Sequence, residues 1–443
     1  MKRTGSMLAA VLVIIALAAM VAGSLLYRMG AESAATAATR VVGQADEAAM
    51  CGIRHAIAVL EAHANDVTVW QDNEELFRDQ FAFEAGGDTW YFTLYAYDGE
   101  DGAAVRYGLT DEAGRININT AAEDTLRRLV ESAPTIPVEE ADAIAEALIE
   151  YRQASPLASV EELLLVEGVS GEHVYGEDAN LNGLLDPNEQ DGGERFPWDN
   201  NDTALDPGLL DLATVMSYDW DVTDDGRERV NINADLDALS DVQGLPGGTA
   251  SFIRQYRNDG GVFKHPSELL NMEHRLRRGR NRGRTIRSGV TGRELPVVLE
   301  QLTVLSPAGR PRLLPGLVNV NTAAPAVLAT LPGVDDDLAA RIVEARRDLD
   351  AEALSTAAWL YGEDGPGPLD ADEFKKIMPR LTWRGRQFRV RCVGFGASSG
   401  RYVVLEAIID LAGSAPRVAY LRDLTRLGLP VPIDPEQLGY AGP

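Results

Sequence analysis

An α+β fold, with a small sheet split by a large α-helical insertion and carried on one long N-terminal helix, follows from three features of the sequence. Residues 7–27 read MLAAVLVIIALAAMVAGSLLY without a charge, and short β-prone segments stand near residues 89–109 and 387–421. Between those segments the sequence reads mostly as helices and loops, with a repeated motif. The chain has 443 residues, too long for one compact core, and its 45% hydrophobic and 25% charged content is that of a folded protein.

The uncharged run is long enough to cross a bilayer at about 1.5 Å per residue. Lys2 and Arg3 precede it, so the positive-inside rule leaves the N-terminus in the cytoplasm and sends the bulk of the chain out. A cleaved secretory signal would need an A-x-A-like exit, and Ala18-Ala19-Met20-Val21-Ala22 offers only a weak one. A plain signal anchor fits. So does a prepilin-type leader: Lys2-Arg3-Thr4-Gly5 is a short basic stretch ending in Gly before Ser6-Met7-Leu8, with cleavage expected after Gly5. Most prepilins carry Glu at the fifth mature residue, which here is Ala10. Beyond the membrane, Val42, Ala45, Ala49, Ile53, Ala56 and Leu60 recur at steps of three and four, so the helix is expected to continue and to lay an apolar stripe on a soluble domain.

Thr89–Asp98 is aromatic and β-prone, Asp98–Gly102 is a turn, and 103–109 reads as a second strand. At the far end Gln387–Phe395, Arg401–Leu411 and Arg417–Leu421 read as strands. The insertion between them repeats itself. Ile116-Asn117-Ile118-Asn119-Thr120-Ala121 returns as Val230-Asn231-Ile232-Asn233-Ala234 and as Val318-Asn319-Val320-Asn321-Thr322-Ala323. Each copy precedes a helical run, Glu123–Val130, Leu236–Val242 or Pro325–Leu331, with Thr, Ala or Asn at the junction as the expected cap. Turns at Gly168, Gly244 and Gly333, and a second helix such as Leu338–Arg347, complete a helix-hairpin-helix plan. Such turns can present backbone amides to DNA phosphate. A packing role is favoured, because a net charge of -27 repels phosphate backbones. His274–Arg287 is the exception, with Arg275, Arg277, Arg278, Arg280, Arg282, Arg284 and Arg287; it could bind an anion or an acidic partner surface, and is expected to be an exposed, mobile loop.

The sharpest chemical signal is Asp178-Ala179-Asn180-Leu181-Asn182-Gly183-Leu184-Leu185-Asp186-Pro187-Asn188-Glu189, which matches the twelve-residue calcium loop D-x-[DN]-x-[DN]-G-x5-E. Asp178, Asn180, Asn182, the Leu184 carbonyl, Asp186 and Glu189 are the expected ligands, Gly183 allows the bend, and hard oxygen donors select Ca2+ over softer metals. The flanks do not read as two long helices, so the ion is expected to hold a long excursion in shape rather than act as a sensor. Asp199-Asn200-Asn201-Asp202 with Asp206 could hold a second ion or be a solvated loop.

Two cysteines, Cys51 and Cys392, give neither a disulfide scaffold nor a zinc spacing. One Cys51–Cys392 bridge and two buried free thiols both stay open. No catalytic set stands out. None of His55, His63, His173, His265 and His274 sits in HExxH, there is no G-x-S-x-G elbow or Walker loop, and His173 is expected at the surface. The chain is therefore not expected to be an enzyme.

The Gly5-terminated leader without the mature Glu, the split strand region, the N-x-N-T-A repeats and the calcium loop together resemble the minor pseudopilin K family of type II secretion systems. Val318–Ala323 and the helices after it are the most recognisable part. The resemblance implies a pseudopilin fold interrupted by a large α-domain with helix-hairpin-helix-like (SAM-like) subdomains. It divides the chain into a leader 1–5, a transmembrane helix 6–27, a pilin-like helix with first strands 28–114, the inserted α-domain 115–380, and C-terminal strands with a tail 381–443. It implies cleavage by a prepilin peptidase after Gly5 and methylation of Ser6. It also implies an inner-membrane, single-pass location with the bulk in the periplasm, structural Ca2+, and assembly with I-type and J-type minor pseudopilins at the tip of the pseudopilus, with no nucleic acid. Two departures are the chain's length and the Arg275–Arg287 segment. Two other readings are an exported helix-hairpin-helix DNA-binding protein of a competence-like uptake system and a membrane-tethered structural protein with no pilus role.

Overall fold

The computed structural model describes residues 4–98, 104–178, 180, 181, 185–193, 197, 199, 201, 205–279, 281–305, 312–362 and 367–430. One helix, α1, spans Thr4–His63. Its N-terminal half is bare: the large apolar side chains from Val11 to Met29 are all exposed. This is the one candidate membrane span among the described residues. Its C-terminal half behaves differently, because Ala45, Ala49, Ile53, Ala56 and Leu60 are fully buried. Val42, expected on the same stripe, is 53% exposed, since the domain begins to cover the helix only one turn later.

The stripe lies on an antiparallel sheet made of β1 (Gln80–Ala85), β2 (Asp88–Asp98), β3 (Gln387–Gly396), β4 (Tyr402–Asp410) and β5 (Arg417–Asp423). The order is β1-β2-β3-β4-β5, with Ala104–Arg106 pairing on β2 and Thr110–Asp111 on β3. β1 was not expected from the sequence; it is a half-exposed edge strand with irregular alternation, joined to β2 through Gly86-Gly87. Cys392 stands opposite Leu94 and Leu405, and these three side chains face α1. The alternate residues Tyr95, Val393, Phe395 and Val404 build a second small core on the other face. Helix and sheet meet most closely at Gly394. A Cβ there would lie 2.2 Å from the Ala49 nitrogen and 2.4 Å from the Ala45 carbonyl oxygen.

β2 and β3 are neighbours, yet the whole insertion separates them in sequence. It consists of three copies of one module, at 116–214, 230–305 and 318–384. Each copy opens on the N-x-N motif as a two-residue strand: Ile116–Asn117, Val230–Asn231 or Val318–Asn319. Each closes on a parallel partner: Ala213–Thr214, Leu302–Thr303 or Leu381–Thr382. The last pair puts Leu381 and Thr382 in the third module, so the helical region runs past residue 380 to the start of β3.

Within each module the first Asn side-chain oxygen accepts the amide of the second Asn (3.1, 2.8 and 3.0 Å), which bends the chain out of the strand. The second Asn then ties down a distant loop, at Leu157, Phe263 or Leu354. The first helices are Glu123–Ser132 and Pro325–Ala329 in modules one and three. Module two has only the single turn Ala238–Ser240 where a helix over Leu236–Val242 was expected, because Asp235, Asp237 and Asp241 favour turns over helix interiors. The expected side-chain caps are absent: Ala122 and Ala324 occupy the N-cap positions without a capping bond. An arginine on the second helix secures the junction instead. Arg152 donates to the Ile118 and Ala121 carbonyls, and Arg346 to those of Val320 and Ala323; Arg254 donates to the Leu236 carbonyl.

Candidate functional site

The twelve-residue loop leaves module one after the short helix Gly171–Tyr175 and returns at Leu209–Leu212, with a bridge between Gly176 and Pro207 at its neck. Modules two and three open at the same place. There the necks are Leu270–Val290, which releases the arginine segment, and Tyr361–Leu369, which releases a short loop. The calcium-loop sequence and the arginine segment are thus insertions at equivalent points of a repeated scaffold.

Asp178 and Glu189, the first and last expected ligands, are both buried, as are Glu177 and Asp199. The Asn180 side-chain amide donates to Asp186 (2.7 Å), and the Asp186 amide donates to the Glu189 carboxylate (3.0 Å), so the two arms of the loop fold onto one another. Leu181 takes a positive φ of 57° with its side chain buried, and the Tyr97 hydroxyl of β2 donates to its carbonyl. The loop is thereby fastened to the far face of the sheet. Asn182, Leu184 and Gly183 lie outside the described residues. Among the described residues, no group of three or more His, Cys, Asp or Glu is gathered closely enough to hold a metal. The donor set itself is oxygen throughout, which suits Ca2+.

In the second acidic run Asp199 accepts the amides of Gly192 (2.7 Å) and Asn201 (2.6 Å), and the Asp206 amide donates to Glu177 (2.9 Å). Asn200 and Asp202 lie outside the described residues. His173 is not at the surface as expected. It is buried, as the third residue of a capping box with Ser170, whose hydroxyl accepts its amide.

The sequence did not reveal the joint between sheet and modules. Arg389 on β3 donates to Glu112 (2.7 Å) and Glu406 (3.1 Å), Arg391 donates to Glu406 (2.8 Å), and Arg115 reaches Glu112 at 3.2 Å. The Arg391 guanidinium lies 4.4 Å from the centre of the Tyr97 ring. All these charges are buried or nearly so. Burial alone would favour the neutral acid at Glu406, but Arg389 and Arg391 overcome it and hold the carboxyl down at about 2. Glu112 is likewise lowered by Arg389 and Arg115 against its burial. The one available signal was the alternation of Arg389 and Arg391 with apolar residues in the strand Gln387–Phe395.

Asp111, beside Glu112, binds the third module: its carboxylate accepts the Asn319 amide (2.6 Å), the Thr322 hydroxyl (2.9 Å) and the Ala113 amide (2.9 Å). Burial outweighs these bonds and pushes its carboxyl up from 3.8 to about 6. A raised carboxyl contributes stability below its unfolded value that is lost as pH rises through the folded value. The expected result is that the melting midpoint of the unsubstituted chain, taken relative to that of Asp111→Asn, rises as pH falls from 7 to 5, while Glu406 stays ionised. The difference cancels His265, which burial and Arg229 hold down at about 4 and which lowers both midpoints across this window; thermal melts of the two chains read it directly.

The two hairpin turns that DNA binding would use, at Gly244 and Gly333, are both exposed. Gly244 (φ +86°) packs against Val297 and Gly333 (φ +91°) against Lys376, each on the closing helix of its own module. The third expected turn, at Gly168, falls after the helix pair; module one joins its two helices through Ala133–Pro137 instead. Cys392 is fully buried against α1 at Gly52, with its thiol pushed up by burial and by Cys51; both thiols are free. Gly5 and Ser6 lie in the first turns of α1.

No family model matches the chain, and no curated protein matches it. Among solved structures, a chain from the GspK–GspI–GspJ complex of the enterotoxigenic Escherichia coli type 2 secretion system aligns with 88% of this chain and 98% of its own length, at 12% identity and a TM-score of 0.35.

Proposed function

We propose that the chain is a K-type minor pseudopilin, a structural subunit of type II protein secretion that sits at the tip of the pseudopilus. The observation that carries this reading is the division of α1. Its first half is a bare apolar span, and its second half is laid into an antiparallel sheet that a three-module insertion interrupts between β2 and β3. The insertion stands at the membrane-distal end of α1, where Asn65 meets Asp224. A subunit loaded in this way has room for neighbours along the bare helix and none above it, which suits a cap. The sequence features quoted for the K family point the same way, with prepilin-peptidase cleavage after Gly5, methylation of Ser6 and an inner-membrane, single-pass placement as parts of the reading. As a structural subunit it has no catalytic role.

The test is complex formation. Full-length chain in detergent would be mixed with I-type and J-type pseudopilins, the classes present in the aligned complex, and analysed by size exclusion with light scattering. A stable hetero-complex is expected, and absence of any complex overturns the cap reading.

Ca2+ held by Asp178, Asn180, Asn182, the Leu184 carbonyl, Asp186 and Glu189 would fix the insertion of module one to the sheet through Leu181 and Tyr97. Calcium at about a hundredfold over its Kd should stabilise the fold by about 2.7 kcal/mol, seen as a raised melting midpoint that chelator reverses. Glu189→Gln, which removes the closing carboxylate, should abolish that shift; a midpoint indifferent to calcium in the unsubstituted chain would remove the ion from the reading.

A further inference from the structure

The arginine segment is not the mobile loop expected of it. It is an ordered β-hairpin, Glu273–Arg275 paired with Thr285–Arg287, extended by hydrogen bonds between Leu276 and both Arg284 (3.0 Å) and Gly283 (2.8 Å). Its base is locked to the module. His274 bonds Asp259 (2.7 Å) and packs edge-on against Tyr256, the same carboxylate accepts the Arg277 amide (2.9 Å), and Leu276 is buried. From this base Arg275, Arg277, Arg278, Arg282, Arg284 and Arg287 all reach solvent. Among the described residues, the ion pair of Arg287 with Glu273 is the only one made by a hairpin arginine. A rigid concentration of positive charge therefore stands on a chain whose net charge is -27.

We propose that this hairpin docks on the anionic phosphate headgroups of a bilayer facing the one that holds α1. Three observations select that occupant. The tip is arginine, glycine and asparagine, with no exposed aromatic or aliphatic side chain. A specific protein interface needs a desolvated apolar or aromatic centre, and single-stranded nucleic acid needs stacking platforms; the hairpin has neither. Six described arginines fall within the thirteen residues 275–287 of one hairpin, so the charge is gathered at a single projection and is not spread along a surface track. A planar array of phosphates met tip-on accepts such a distribution, and guanidinium forks suit phosphate oxygens.

The third observation concerns reach. α1 runs about 50 Å from Tyr27 to His63 at ~1.5 Å per residue. Module two is tied to its far end: Asn65 meets Asp224, and the Asp224 amide donates to Glu300 on the helix Leu295–Gln301, which follows the hairpin. Module two is thereby tied to the end of α1 away from its apolar span, and a second, opposed bilayer is the surface proposed for the tip. This inference is independent of pseudopilus assembly, and failure to bind other pseudopilins would leave it standing.

The test uses full-length chain held in phosphatidylcholine nanodiscs and asks whether it floats with added vesicles. Flotation is expected with vesicles containing phosphatidylglycerol, not with pure phosphatidylcholine, and should be lost at high salt. Each arginine near an anionic surface contributes roughly a factor of five, so Arg277→Gln/Arg278→Gln/Arg282→Gln should weaken vesicle binding by about a hundredfold. Arg127→Gln/Arg401→Gln, away from the hairpin, should bind as the unsubstituted chain does, and an unchanged melting curve would show that the triple variant is folded. No flotation, or flotation equal in the folded triple variant, overturns the proposal. Tighter binding to a short DNA duplex than to the anionic vesicles would also overturn it and make the partner a nucleic acid.

Discussion

Replacing Gly394 by valine is expected to lower the stability of the soluble part by on the order of 4 kcal/mol, the largest single-residue effect in the sheet. The reason is that the obstructing atoms are backbone. A Cβ at this position meets the Ala49 nitrogen and the Ala45 carbonyl oxygen of α1, and neither can rotate away as a side chain could. The helix would have to lift from β3, exposing Ala45, Ala49, Ile53 and Ala56 together. The melting midpoint should fall by ~5 °C. Gly43, one turn before the domain, supplies the control: nothing lies within 4 Å of a Cβ there, so Gly43→Ala should stabilise the exposed helix by up to about 1 kcal/mol. If Gly394→Val melts where the unsubstituted chain does, the helix is not seated on β3 as described.

The second large effect is expected at Arg389. This guanidinium stands between Glu112 and Glu406, both buried, and joins the opening residues of the insertion to the middle of the sheet. Arg389→Met keeps the bulk of the side chain but leaves two buried carboxylates short of a cation, at a cost of about 3–5 kcal/mol. Arg115 and Arg391 remain beside the two acids, which favours the lower end of that range. The deficit should depend on pH. In the unsubstituted chain Glu406 is held at about 2, so its stabilising share is present above the unfolded value near 4.5 and is lost only as pH falls from there toward 2. With Arg389 gone, the carboxylates regain higher values and can take up protons. The difference between variant and unsubstituted chain should therefore narrow between pH 7 and pH 5. A constant difference across that range would mean that lost packing, and not the stranded charge, sets the cost.

The sequence made some of this structure legible, and the reasons differ from element to element. The stripe from Ala45 to Leu60 was readable because one helix face repeats every three or four residues whatever it packs against. β2 to β5 were readable because aromatic and β-branched alternation needs no knowledge of the partner. The strand β1 was not, since an edge strand half in solvent carries little pattern. The N-x-N motif announced three copies, but its partners Ala213–Thr214, Leu302–Thr303 and Leu381–Thr382 are only two residues long and pair across a whole module. Alignment of Leu212-Ala213-Thr214-Val215 with Gln301-Leu302-Thr303-Val304 and Arg380-Leu381-Thr382-Trp383 carries a faint signal for them. The loop from Asp178 to Glu189 was legible as a pattern of oxygen donors because that spacing is local. Its attachment to Tyr97 on β2 was not, because that contact depends on the module's position against the sheet. Buried arginines read as surface residues until their acidic partners, far away in sequence, are placed beside them.

The adjacency of β2 and β3 has a consequence for the order in which the chain can be completed. Synthesis from the N-terminus delivers α1, β1 and β2 first and β3 to β5 last, with all three modules between. The modules contain their own short-range pairings and can form as they emerge, whereas the sheet must wait for residues 387–423. Loop-closure cost rises only slowly with length, by about 0.6 kcal/mol per doubling, so the delay is one of time more than of free energy. Until the last strands arrive, the stripe from Ala45 to Leu60 and one edge of β2 stand uncovered. This interval is when the nascent chain is most open to proteolysis and to holding by a chaperone, and it ends when Gly394 closes against Ala49.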